Sequence, residues 1–157
     1  MKGDNRSVKG FTLIEILVVF SLIGILTALG FASYSAFNGE QALSSSASDV
    51  ATMLSSAKSH ALTQVVPNSC GTNSITGYQV SISTTTQQYI LSVVCGSSYA
   101  LTTNKLQSQV TFGGSSTTSV FFNMSTGTVT APATIIVNGY GKTKTIRVSS
   151  TGIISVQ

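Results

Sequence analysis

The chain has little charge and few of the residues that most often do chemistry. Asp, Glu, Lys and Arg make up 8% of its 157 residues, and it holds four acids, one histidine, two cysteines and two prolines. With His60 as its only histidine there is no Ser-His-Asp set to assemble, and His60 sits beside serines on a helical stretch, where a solvated side chain is expected. Beyond the N-terminal apolar run the only acids are Glu40 and Asp49, too far apart on a helix for paired acid–base work. There is no phosphate-binding Walker loop and no dinucleotide fingerprint. Catalysis, a cofactor and a small-molecule substrate are therefore not expected. Cys70 and Cys95 lack the second Cys or His pair of a structural zinc site, so no metal is expected either. A disulfide in an oxidising compartment is the favoured reading, and its chain-entropy contribution would be roughly 3.5 kcal/mol. The alternatives are two unpaired buried thiols or a redox pair, and the spacing is not Cys-x-x-Cys.

Hydroxyl residues and one long apolar run fill the space that charge leaves. Serine and threonine number 26 and 21, spread through a polar region that suits an outside surface or an assembly. The formal charge of +4 overstates the basicity of that region, because Lys2, Arg6 and Lys9 against Asp4 supply half of it within the first ten residues. From Phe11 to Phe31 the only charge is Glu15. As a helix this run covers about 30 Å, one hydrocarbon thickness, and the bases ahead of it keep the N-terminus cytoplasmic.

Three readings compete for this segment. A secretory signal peptide would also begin basic and turn apolar, with Ala28, Gly30 and Ala32 as cleavage-site residues, and would release a soluble binding domain. Its apolar part would be shorter, however, and would lack an acid near its start. A plain membrane anchor accounts for the length but leaves Glu15 as a pure cost, roughly 2.5–3.5 kcal/mol for an acid at the bilayer centre and less near the interface. In the third reading, Lys9-Gly10 followed by Phe11-Thr12-Leu13-Ile14-Glu15 and a long apolar helix resembles the processing motif of type IV pilins and type II secretion pseudopilins. The resemblance implies that a prepilin peptidase cuts after Gly10 and methylates Phe11. It also implies that Glu15 neutralises the amino terminus of a neighbouring subunit in a filament. Physical chemistry agrees, since two buried charges that pair across subunits offset much of each other's desolvation and favour one axial register. Many pilins carry a helix-kinking proline in this segment; here Ala32 occupies that neighbourhood and no proline precedes Pro67.

Beyond Gly39, Leu43, Ala47, Val50, Leu54, Ala57 and Ala61 recur every three or four residues, which extends the helix to about Gln64, some 80 Å in all. After Pro67 the pattern becomes alternating. Strands are expected at Tyr78–Ile82, Tyr89–Cys95, Tyr99–Thr102, Val110–Phe112, Val120–Met124, Thr128–Thr130, Thr134–Val137, Thr145–Ser149 and Ile153–Val156. Turns are expected at Gly77, Gly96, Gly113-Gly114, Thr126-Gly127, Asn138-Gly139 and Thr151-Gly152. The expected fold is α+β and type IV pilin-like, a long N-terminal helix with a transmembrane first half, packed on an antiparallel sheet or sandwich. Its parts are a leader over 1–10, a membrane and filament-core helix over 11–36, an amphipathic helix over 37–66 and a β-rich domain over 67–157.

The stretches "VATMLSSAKSHAL", "VFFNMSTGTV" and "KTIRVSSTGIISV" resemble the GspH/FimT branch of minor pilins and pseudopilins. That resemblance implies an inner-membrane precursor with an outward C-terminal domain, then a pilus or pseudopilus whose partners are other pilins. A major pilin and a DNA-capturing minor pilin are alternatives. For DNA, the branch's Gly-Arg-x-Arg sequence is replaced here by Gly152-Ile153-Ile154-Ser155. Lys142, Lys144 and Arg147 remain as a basic group, and strand alternation separates the lysines from Arg147. Three phosphate contacts would give a salt slope of about −2.7, against ordinary solvated lysines on a strand end. Asn123-Met124-Ser125 fits a glycosylation sequon.

Overall fold

The computed structural model describes residues 10–157, with side chains described except at 28–33, 35 and 36. The expected leader, with Lys2, Asp4, Arg6 and Lys9, lies outside the described residues apart from Gly10. Helix α1 runs Leu13–Thr63, and the chain divides into two compact units, Met1–Phe37 and Asn38–Gln157. With no proline before Pro67, α1 runs without a break over this whole Leu13–Thr63 range.

In the first unit the helix carries apolar residues on every side, and all of its described side chains from Leu13 to Thr27 are exposed. Among the described residues no helix is long and apolar enough to cross a membrane. The described side chains of the run to Phe31 end at Thr27, so the expected spanning segment over 11–36 extends outside them.

The second unit contains the core. On α1 the stripe Leu43, Ala47, Val50, Met53, Leu54, Ala57 and Ala61 is buried, and it shares one apolar cluster with the inward faces of two four-stranded antiparallel sheets. The first sheet comprises β1 (Gly77–Ser83), β2 (Gln88–Cys95), β3 (Ser97–Lys105) and β5 (Ser119–Asn123), in the order β3-β2-β1-β5. The second comprises β4 (Val110–Phe112), β6 (Ala133–Gly139), β7 (Lys142–Val148) and β8 (Ile154–Val156), in sequence order. Alternation drives these strands: Val80 and Ile82 of β1, like Ala133, Ile135 and Val137 of β6, are buried between less buried neighbours.

Cys70, in a short 3-10 turn, is disulfide-bonded to Cys95 at the end of β2 and so ties the helix-to-sheet connection to the first sheet. The helix ends on Gln64, whose φ of +54° is left-handed, and the Val65 N–H reaches back to the His60 carbonyl at 3.3 Å. This is the six-to-one bond of a Schellman cap, here built without glycine. The Ser125 N–H takes the free Ala61 carbonyl at 2.9 Å, so the loop after β5 closes the helix end as well.

Several expectations need correction. Thr128–Thr130 forms no strand; Val129 makes a single bridge to Phe122, because the Asn123 side chain and backbone both bond Thr128 and fold the segment into a loop. The β6–β7 turn is not Asn138-Gly139, which lies within β6. It is Tyr140-Gly141, with φ of +53° and +73°, the pair of signs that a two-residue type I′ hairpin requires. Gly77 opens β1 and is not in a turn. The strand expected at Tyr99–Thr102 is nine residues long and exposed along almost its whole length, which erased the alternation that would have marked its ends.

Candidate functional site

The residues singled out for processing and assembly lie at the start of α1. Gly10, Phe11 and Thr12 are non-helical and exposed, and the helix begins at Leu13 because Thr12 caps it. The Thr12 Oγ1 accepts the Glu15 N–H at 3.3 Å, while its carbonyl accepts N–H groups from Glu15 and Ile16 at 3.1 and 3.3 Å. Thr12 is thus the N-cap and Glu15 the third helical residue, the Thr-x-x-Glu spacing of a capping box. The sequence carries that signal in Thr12-Leu13-Ile14-Glu15, where Glu15 serves local capping geometry as well as the role the resemblance implies. A carboxylate in the first turn also faces the positive end of the helix dipole, so its placement there is locally favourable.

Around this acid the surface is apolar. Phe11 is 80% and Leu13 82% exposed, and Phe11, Glu15, Ile16, Val19 and Phe20 line one shallow groove of about 380 Å³. An apolar face with one carboxylate at its head can seat another apolar helix or lipid, and can hold a cation where Glu15 stands.

The basic group is divided. On β7, Lys142 and Lys144 share the register of buried Ile146 and Val148, whereas Arg147 points to the opposite, exposed face, opposite Thr134 and Ser155. Lys142 donates to Glu40 at 2.6 Å, and this bond and charge hold the Glu40 carboxyl below its ordinary range. The pair is more than half exposed on each side, so it is screened and contributes little. One lysine is therefore spent on the helix, and the three bases form no continuous patch.

His60 is half-buried, not fully solvated as expected. Its ring packs edge-on against Tyr78 with centroids 5.3 Å apart, and its Nδ1 is buried without a hydrogen-bond partner in the structure. Asp49 and His60 border a groove of about 570 Å³ with Tyr89, Asn104 and Lys105. Burial, and secondarily the Asp49 charge, push the Tyr89 phenol up. Among the described residues no group of three His, Cys, Asp or Glu is placed to hold a metal ion. The sequon asparagine, Asn123, spends its amide on the Thr128 carbonyl at 3.0 Å.

Comparison with known proteins agrees with this arrangement. The prokaryotic N-terminal methylation motif matches residues 5–31. No curated protein matches the chain. Among solved structures, the fold is similar to that of the minor pseudopilin EpsH from the Type 2 Secretion System of Vibrio cholerae. The identity is 14%, the match covers 73% of this chain and 95% of that one, and the TM-score is 0.55. The chain thus carries the prokaryotic N-terminal methylation motif at its N-terminus and, behind it, a fold similar to that of a minor pseudopilin.

Proposed function

We propose that this chain is a minor pilin or pseudopilin of the GspH/FimT type. In this reading it is made as an inner-membrane precursor, cut after Gly10 by a prepilin peptidase, methylated on the Phe11 amine and assembled through α1 with other pilins. The observation that carries the reading is the exposed apolar helix from Leu13 to Leu26 with Glu15 in its first turn and Phe11 beside it. Twelve large apolar side chains between Phe11 and Leu26 are exposed in the single chain, and lipid followed by a bundle of like helices would cover them in turn. In such a bundle the Phe11 amine of one subunit and Glu15 of another remove each other's unpaired charge.

Mass spectrometry of the mature protein is the test. The expected N-terminus is Phe11, about 14 Da heavier for one added CH₂. An N-terminus near Phe31 would instead identify a secreted domain. The Glu15→Ala change should leave insertion and cleavage intact and reduce incorporation into filaments; undiminished incorporation would refute the pairing.

A further inference from the structure

We propose that Thr12, by capping α1, keeps the Gly10–Phe11 peptide bond outside the helix and thereby controls how fast the leader is removed. The inference rests on Gly10 being the processing point. Hydrolysis there adds water to the Gly10 carbonyl carbon and breaks its bond to the Phe11 nitrogen. A proton passes to that nitrogen, and the products are a Gly10 carboxylate and a Phe11 amine. The carbonyl must be free for this. In an α-helix the Gly10 carbonyl would accept the N–H four residues on, from Ile14, and the scissile bond would be wrapped inside a turn.

The apolar sequence from Leu13 onward is a strong helix, and nothing in Phe11 itself would stop it from growing toward the N-terminus. The stop is Thr12. An N-cap residue has non-helical dihedrals, and its side chain substitutes for the missing turn by taking the N–H of the third helical residue. Here that bond is Thr12 Oγ1 to Glu15 N–H. The helix consequently starts at Leu13, two residues beyond the scissile bond. A second observation agrees: a Cβ built on Gly10 meets nothing within 4 Å among the described residues, and the Phe11 side chain is largely exposed, so the two residues flanking the bond are non-helical and uncrowded. Extended, exposed backbone is what proteases cut, and helical backbone must first open. Thr12 is thus a positioning residue for leader removal, separate from Glu15, whose carboxylate serves assembly.

The test uses the full-length precursor in membranes with a prepilin peptidase, comparing the parent with Thr12→Ala, Thr12→Ser and Thr12→Asn. Loss of an ordinary N-cap corresponds to a shift of about fivefold between capped and extended-helix forms. Cleavage of Thr12→Ala should slow measurably, by up to about that factor, while the Ser and Asn variants, which cap as well, should match the parent. Amide exchange at Ile14 in detergent micelles gives a readout independent of the peptidase, and it should slow in Thr12→Ala alone, as the Gly10 carbonyl takes that N–H. If Thr12→Ala is cut as fast as a normally cut parent, or if Ser and Asn are as slow as Ala, the capping role is overturned. A parent chain left uncut after Gly10 overturns the processing reading itself.

Discussion

Gly77 shows how a single missing methyl group holds the first sheet together. A Cβ built there would lie 2.2 Å from the Phe122 carbonyl oxygen and 2.6 Å from the Phe121 ring. The first contact is backbone and cannot rotate away, so β1 and β5 would have to separate. Gly77→Ala should destabilise the domain by about 3 kcal/mol, at the upper end of ordinary overpacking costs. Gly114→Ala meets open space and has no left-handed φ, and should change stability by less than about 0.5 kcal/mol. Urea unfolding of the two variants beside the parent checks both values. Equal midpoints would mean that the β1–β5 pair is looser than its register implies. Gly139 has the same character in weaker form, since its Cβ would crowd Val110 and Gln109. In both cases a glycine that reads as a turn in the sequence serves close backbone approach.

At the scale of elements, legibility followed how far each element's burial was periodic. The second half of α1 and strands β1, β2, β6 and β7 alternate or repeat because one face is buried, and those residues could be read directly. The outermost strand β3 is exposed on both faces, so its extent had no hydrophobic signature. The Tyr140-Gly141 turn was hidden because Asn138-Gly139 matches the turn chemistry better, and only the packing of Gly139 against β4 and α1 moves the hairpin on by two residues. The cap at Thr12 is legible in its Thr-x-x-Glu spacing, whereas the docking of His60 on Tyr78 depends on a contact between α1 and β1 that no local pattern contains. That contact belongs to the helix end. The Tyr78 hydroxyl donates to the Val65 carbonyl at 2.6 Å, just past the cap, and the residue is wholly buried. Tyr78→Phe should cost about 1 kcal/mol at neutral pH. Burial also raises the Tyr78 phenol above its ordinary value of 10.0. For an acid whose folded-state value is raised, the neutral form is favoured by folding. Its contribution is complete below about pH 10 and is lost as pH rises through the raised value. The parent should therefore lose stability above pH 10 more steeply than Tyr78→Phe, and parallel curves in alkaline urea titrations would refute the assignment.

For the whole molecule, the division of labour between the two units leads to a prediction about solubility. Among the described residues every buried apolar side chain, from Leu43 to Val148, lies in the unit Asn38–Gln157, as does the Cys70–Cys95 disulfide. That unit has its own core, its own helix end cap and a covalent tie. The first unit has the opposite balance. Its twelve exposed Phe, Leu, Ile and Val side chains between Phe11 and Leu26 would gain on the order of 20 kcal/mol by leaving water. A sum of that size exceeds the stability of an ordinary domain, so exposure of this segment to water is the larger cost for the chain. A chain beginning at Asn38 should therefore remain folded and monodisperse without detergent, with a urea midpoint close to that of the intact protein in micelles. The full-length chain should need detergent or lipid throughout. Glu15→Ala in the full-length chain should not change that requirement, because one carboxylate is small against twelve apolar side chains; its effect should appear only when subunits meet. Size-exclusion chromatography with and without detergent reads each of these outcomes. Aggregation or unfolding of the chain beginning at Asn38 would show that the N-terminal helix contributes to the core as well as to its location.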